Sequence, residues 1–271
     1  MHEKINLARS LIQNSKNPVS FSGAGLSAES GIAVFRSAES SADKAGEADN
    51  DRGEKPLWEQ FDPQTLASQF GFVENPQIVL EWYAWRRGQV AAASPNAAHR
   101  VLAAQHNMLH ITQNVDDLLE RAGTDSEQVV HLHGEIVRDK CNAHCGYSTP
   151  LTLSADAKNN VPSGDCPDCG APLRPGVVWF GEALPETLWQ LAVTKVSQCD
   201  FMLVVGTSAL VNPAAGLIEL ARSNGASIVI VDPAFAGAQE TLGSKNDERQ
   251  EILLSGNAGD VLPLLFNLGD E

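Results

Sequence analysis

The sequence predicts an α/β protein: a parallel sheet with helices on both faces, a helical insertion, and a small cysteine-bearing module. Three observations carry this. Short apolar runs recur along the chain, helix-period segments separate them, and two close pairs of cysteines interrupt the alternation. A wholly apolar strand is one buried on both faces, the signature of a parallel sheet between helical layers.

Taken in order, residues 3–14 place Ile5, Ala8, Leu11 and Ile12 on one face of a helix. Pro18-Val19-Ser20-Phe21 is then a short buried strand feeding a turn at Gly23-Ala24-Gly25. Further strands are expected over 109–112, 129–133, 177–180, 201–205 and 228–231, and helices near 97–105, 115–122, 186–197, 214–223 and 259–267. Residues 37–55 are small, polar and charged with no apolar period, so a flexible loop is expected there. The implied division is a nucleotide-binding domain from 1–36, 96–136 and 176–271, a loop and helical insertion over 37–95, and a small metal module over 137–175.

The 271 residues are 43% hydrophobic, which suits one large domain with a satellite and excludes a mainly disordered chain. A net charge of −15 argues against nucleic acid as a direct partner, because no surplus of Lys or Arg is present to neutralise phosphates. Residues 39–54 hold six acids against Lys44 and Arg52, so most of the negative charge lies elsewhere. No run of 18 apolar residues occurs, and the charged start MHEKINLARSLIQN lacks the apolar block of a signal peptide. The expectation is a cytoplasmic, monomeric protein with no membrane partner.

Four of the five cysteines form two pairs, Cys141 with Cys145 and Cys166 with Cys169. In a reducing compartment such spacing points to a structural Zn²⁺ held by all four, in a zinc-ribbon arrangement. His144 offers an alternative ligand at C-x2-H spacing, and a redox dithiol is the other reading. Cys145-Gly146 repeats the Cys169-Gly170 turn, which favours Cys145.

Gly23-Ala24-Gly25-Leu26-Ser27-Ala28 is a G-x-G-x-x-A turn after a strand and before an expected helix. In a Rossmann-like dinucleotide site the first glycine permits the turn, and the second admits a pyrophosphate close to the backbone. The acid expected about 20 residues later would fall in the polar loop, so an ordinary dehydrogenase is not supported.

Six segments in order then resemble the sirtuins, NAD-dependent protein-lysine deacylases: GAGLSAESGIAVFR (23–36), TQNVDDLLERAG (112–123), HLHG (131–134), RPGVVWFGE (174–182), GTSALVNPAAG (206–216) and GNA (256–258). The resemblance implies NAD⁺ as co-substrate beside the structural zinc. It implies His133 as general base, with His131 as fallback, and catalytic roles for Asn114 and Asp116. A carboxylate that only accepts suits the nicotinamide amide. Helix capping is the bland role for Asn114. The cofactor would further be held by Gly23, Ala24, Gly25, Phe35, Arg36, Gln113, Gly206, Thr207, Ser208 and Ala258. Ile230 and Leu119 stand where the family commonly has Asn and His, which implies altered NAD affinity.

Tyr83 and Arg86 are three apart in a helical stretch and share a face. They resemble the Tyr-x-x-Arg pair of the branch that accepts succinyl-, malonyl- or glutaryl-lysine, with Ala67 leaving room at the pocket floor. An incidental pair on an amphipathic helix is the alternative. The peptide is expected to add as a strand beside Val177, Val178 and Phe180. The function implied is NAD-dependent removal of acetyl and acidic acyl groups from lysine, giving nicotinamide, O-acyl-ADP-ribose and free lysine. A protein ADP-ribosyltransferase on the same NAD site, or a non-catalytic NAD-binding module, are the alternatives.

Overall fold

Five-residue runs such as Phe201-Met-Leu-Val-Val205 have no polar face, and burial on both sides is the only arrangement that shields them. The computed structural model describes residues 2–32, 62–162, 164–207, 212–235 and 251–266. Its strands are β1 (Pro18–Ser22), β2 (Leu109–Thr112), β3 (Val129–His131), β4 (Gly134–Cys141), β5 (Ser148–Pro150), β6 (Leu173–Val177), β7 (Phe201–Val205), β8 (Ser227–Val231) and β9 (Glu251–Leu254). Its helices are α1 (His2–Asn14), α2 (Pro63–Leu66), α3 (Gln69–Glu74), α4 (Pro76–Ala92), α5 (Ala97–Ala103), α6 (Leu118–Arg121), α7 (Glu186–Gln198), α8 (Gly216–Ser223) and α9 (Ala258–Leu265).

Six strands form a parallel sheet in the order β3-β2-β1-β7-β8-β9. The chain leaves the central strand β1 in one direction and later resumes from it in the other, which opens a crevice beyond the carboxyl ends of β1 and β7. Alternate residues of β7 feed opposite cores. Phe201, Leu203 and Val205 pack with α1, α5 and α9 residues such as Ala8, Leu102 and Leu262. Met202 and Val204 pack with Ala192 and Val196 of α7 and Leu217 and Ala221 of α8.

One stripe of this interior is polar. Ser20 lies opposite His110 and Ser22 opposite Thr112 in the β1–β2 register. Their side chains bond across the strands at 2.8 and 2.9 Å, so each buried hydroxyl is satisfied.

The second sheet, antiparallel β5-β4-β6, carries the cysteines. Its inner face packs Ile136, Val177 and the adjoining Trp179 against Leu66, Phe72, Val79, Trp82 and Tyr83 of the helical insertion. Arg87 of α4, wholly buried, locks the two together. It donates to the carbonyls of Ile136 (2.9 Å), Arg138 (2.8 Å) and Asn160 (2.9 Å), and pairs with Asp139 at 2.7 Å.

Several local expectations are corrected. Short 3-10 turns, Ala24–Leu26 and Ala28–Ser30, replace the helix expected after the glycine turn. The strand expected over 177–180 ends at Val177, and that over 129–133 ends at His131. β9 follows a long polar stretch, and its four residues are too short a run to stand out. Phe35, Arg36, Ser208 and the 37–55 loop lie outside the described residues.

Candidate active site

The crevice gathers three loops. The amide of Gly23 donates to Val205 and that of Gly25 to the Gly206 carbonyl at 2.8 Å, so the turn after β1 rides directly on the turn after β7. A Cβ at Gly25 would stand 2.6 Å from the Gly206 Cα. Close backbone contact therefore already demands glycine at both positions, Gly206 also having φ +56°. Gln113, after β2, donates to the Thr207 hydroxyl at 2.9 Å and joins the third loop to the other two. Ala24 is half-buried beside them, whereas Ala258 is core, with a side chain facing the hydrophobic cluster.

Ser27 organises the polar centre. Its hydroxyl donates to Asp116 Oδ2 at 3.0 Å and accepts from Asn114 Nδ2 at 3.0 Å. Asp116 Oδ1 accepts the Leu118 amide. Burial pushes the Asp116 carboxyl above the usual carboxylate range, while the Leu118 amide and Ser27 hydroxyl hold it back. His99 Nε2 lies 3.4 Å from Ser27 Oγ, and burial takes that imidazole down to about 4. Sequence reasoning passed over Ser27 and His99. The signal for Ser27 was its place inside the glycine motif, and for His99 the Asn96–His99 capping box, which aims the ring inward.

The two histidines of His-Leu-His differ. His133 Nδ1 faces the Gln113 carbonyl at 3.0 Å. A carbonyl only accepts, so Nδ1 carries the proton and neutral His133 keeps its lone pair on Nε2. Burial lowers its proton affinity, with the Gln113 hydrogen bond opposing. His131 has both nitrogens engaged, by the Asn114 carbonyl and by Glu120. It has no free lone pair for base chemistry.

Tyr83, Ala67 and Val177 share the insertion core. Tyr83 is 1% exposed, and its hydroxyl accepts the Trp179 indole N–H at 3.0 Å. The Arg86 guanidinium stands 5.1 Å from the Trp82 ring centroid and 5.7 Å from that of Tyr83, within electrostatic reach of Asp116. Val115, between Asn114 and Asp116, packs against the cluster that holds Tyr83, so the acyl-side helix adjoins that loop.

The edge at 177–180 is narrower than expected. The Val178 amide donates to His133 and the Phe180 amide to Ala67, each at 2.8 Å. A strand added there must use groups other than these two amides. Leu119 is core, packed with Leu26 and Val205, and Ile230 lies in β8 opposite Val204 and Leu253.

In the small sheet the sulfurs of Cys141, Cys145, Cys166 and Cys169 all lie within 4.8 Å of one another. The pairs Cys141–Cys169 and Cys145–Cys166 are 3.4 Å apart, too far for disulfides. A tetrahedral zinc with Zn–S of about 2.3 Å sets its sulfurs roughly 3.8 Å apart, so the quartet fits the ion. His144 stands outside the quartet, 63% exposed. With four protein ligands, no position is open for catalysis, and the site is structural.

The model of the Sir2 family matches residues 23–213. An "NAD-dependent protein deacylase 1" of Pseudomonas aeruginosa is 40% identical over 264 residues, covering 94% of this chain and 95% of that protein. An "NAD-dependent protein deacylase" of Mycolicibacterium paratuberculosis is 47% identical over 238 residues, covering 85% and 92%. Among solved structures, a Sir2 homologue in complex with NAD aligns with TM-score 0.76 at 36% identity, covering 97% of this chain and 93% of the other. A Sir2 protein bound to a myristoylated histone peptide aligns at 0.69 and 28% identity, covering 98% and 96%.

Proposed function

This chain belongs to the Sir2 family, and from that premise we propose an NAD-dependent protein-lysine deacylase that acts on acetyl-lysine and on acidic acyl-lysines such as succinyl- and malonyl-lysine. The observation that carries the reading is one continuous polar site. It runs from the Gly25–Gly206 contact through Ser27 to Asn114 and Asp116, and Val115 between them packs against the cluster of Tyr83, beside Arg86.

NAD⁺, when bound, supplies an electrophilic ribose carbon whose leaving group is nicotinamide. Asp116, acceptor-only when ionised, receives the nicotinamide amide. Ser27 fixes how the Asn114 amide is turned, so that it orders the ribose and water. His133 takes a proton from a ribose hydroxyl on Nε2, and its lowered proton affinity keeps it neutral at pH 7. Arg86 grips the terminal carboxylate of an acidic acyl group through its fork of donors. The Tyr83 hydroxyl, accepting from Trp179, has its own proton left to donate to the same carboxylate. Phe35, Arg36 and Ser208 complete the cofactor side on the resemblance alone. The partner is an acyl-lysine protein or peptide, met by a cytoplasmic monomer without nucleic acid or membrane. No described helix is long and apolar enough to cross a membrane.

The test is mass spectrometry of reactions with NAD⁺ and matched acetyl-, succinyl- and unmodified-lysine peptides. Free lysine peptide, nicotinamide and O-acyl-ADP-ribose are expected. Arg86→Met should lower desuccinylation roughly 10–100-fold, the loss of a charge-assisted hydrogen bond, and deacetylation only a few-fold. Equal losses on both substrates remove Arg86 from specificity. ADP-ribose appearing on protein without deacylation would support the transferase instead.

A further inference from the structure

The loop between β2 and α6 has no regular structure, yet three successive carbonyls on it are held. That of Gln113 accepts from His133, that of Asn114 from His131, and that of Val115 from the Ile136 amide at 2.8 Å. The middle clamp differs from its neighbours. His131 Nδ1 lies 3.0 Å from the Asn114 carbonyl and Nε2 lies 2.8 Å from Glu120 Oε1. A carbonyl accepts only, and so does an ionised carboxylate, so both ring nitrogens carry protons and the ring is an imidazolium. His131 is 6% exposed.

We propose that Glu120 and His131 are a positioning pair: a buried cation, neutralised by Glu120 from α6, that holds the Asn114 carbonyl and so the orientation of the catalytic loop. The inference rests on the deacylase reading for what the loop does, while the charge on His131 is measured without turnover. Charge surroundings agree. Burial alone would neutralise the ring, but the hydrogen bond and charge of Glu120, with the Asn114 carbonyl, carry His131 up to about 9. Burial likewise raises Glu120, and His131 reverses this to a net lowering. Asp116 and Glu135 also favour the cation, Asp117 is the like charge beside Glu120, and His110, taken down to about 4 by burial, is neutral over this range. Above pH 9 the neutral ring has one N–H for two acceptors, so one clamp must be released.

The first measurement is the ¹⁵N spectrum of histidine-labelled protein across pH. One ring, absent from the spectrum of His131→Phe, should stay doubly protonated up to about pH 9, while His133 shows one N–H at pH 7.5. In kinetics, Glu120→Gln and His131→Phe should each lower kcat about tenfold with the Kd for NAD⁺ within threefold. The double variant should be no worse than the weaker single one, because both remove one device. Glu120→Gln should also lose the fall in kcat above pH 9. A neutral His131 ring at pH 7.5, full kcat in both variants, or multiplicative losses in the double variant would overturn the proposal. If the variants do not fold, the native spectrum decides through the one ring that titrates so late. If the native protein shows no turnover, the deacylase reading fails and the spectrum still tests the pair.

Discussion

The two sheets solve the problem of stability in different ways. The six-stranded sheet buries apolar side chains on both faces, from Ala8 and Leu102 on one side to Val196 and Leu217 on the other. That surplus lets it tolerate buried polar groups such as Ser27, Asn114, Asp116 and His131 where chemistry is needed. Among the described residues, the three-stranded sheet has its core on the inner side, where Ile136 and Val177 meet the helical insertion. At its outer tip Cys141 and Cys166 are buried beside the exposed Cys145 and Cys169. A region this poor in apolar contacts needs a covalent or metal staple. One region uses hydrophobic burial to support a polar site, and the other uses a polar site to replace burial.

The largest effect that could break this contrast is removal of the metal. Cys166→Ser should abolish a zinc content near one per chain, measured by elemental mass spectrometry. Metal binding supplies about 10–16 kcal/mol of folding free energy in isolated zinc-finger peptides. Amides of residues 134–177 should then exchange freely while those of β1, β2 and β7 stay protected. Protected amides in a metal-free variant would remove the contrast.

Next comes the link between the regions. Arg87→Met strands Asp139 and three carbonyls, and should cost about 3–5 kcal/mol in urea unfolding. A cost under about 1 kcal/mol would mean that apolar contacts alone hold the insertion to the small sheet.

A third test uses pH, because the strongly shifted histidines, His99, His110 and His131, all lie in the large region. Burial takes His99 and His110 down to about 4, so their stability contribution is complete above 6.5 and is lost as pH falls from 6.5 towards 4. His131, raised to about 9, contributes fully below 6.5 and is lost as pH rises from 6.5 to 9. Stability from urea titrations should peak near pH 6.5, fall by about 3 kcal/mol by pH 9 through His131, and fall by about twice that by pH 4 through His99 and His110 together. A flat profile between pH 6.5 and 9 would show that His131 gains no proton affinity on folding.

The smallest effect belongs to Ser27→Ala, which separates Asn114 from Asp116. About 1–2 kcal/mol is expected, seen as a roughly tenfold lower kcat with little change in Tm. An equal loss in both quantities would make Ser27 structural.

Much of this was legible in residue order. The strand over 201–205 matches the expectation because a wholly apolar run has few other uses, that over 109–112 matches it with His110 and Thr112 alternating between Leu109 and Ile111, and the cysteine quartet was readable from spacing. The turns at 24–30 were misjudged because Gly25 answers to Gly206, which is remote in sequence. β9 was missed because Glu251-Ile-Leu-Leu is short and follows a polar stretch. Arg87 carries no signal in the sequence, since nothing local announces Asp139.

By itself the sequence determined the alternation of strands and helices, the glycine turn, the four metal ligands and the ordered motifs. These are local: a hydropathy period or a spacing is complete within a few residues. Only the tertiary structure decided that β1 lies at the sheet's switch point, that Ser27 joins Asn114 to Asp116, and that Val115 packs that loop against the Tyr83 cluster. It also separated the two histidines of one tripeptide, His133 neutral on a single carbonyl and His131 charged between a carbonyl and a carboxylate. An ionisable group takes its state from the acceptors that folding brings to it, and those come from other strands and helices.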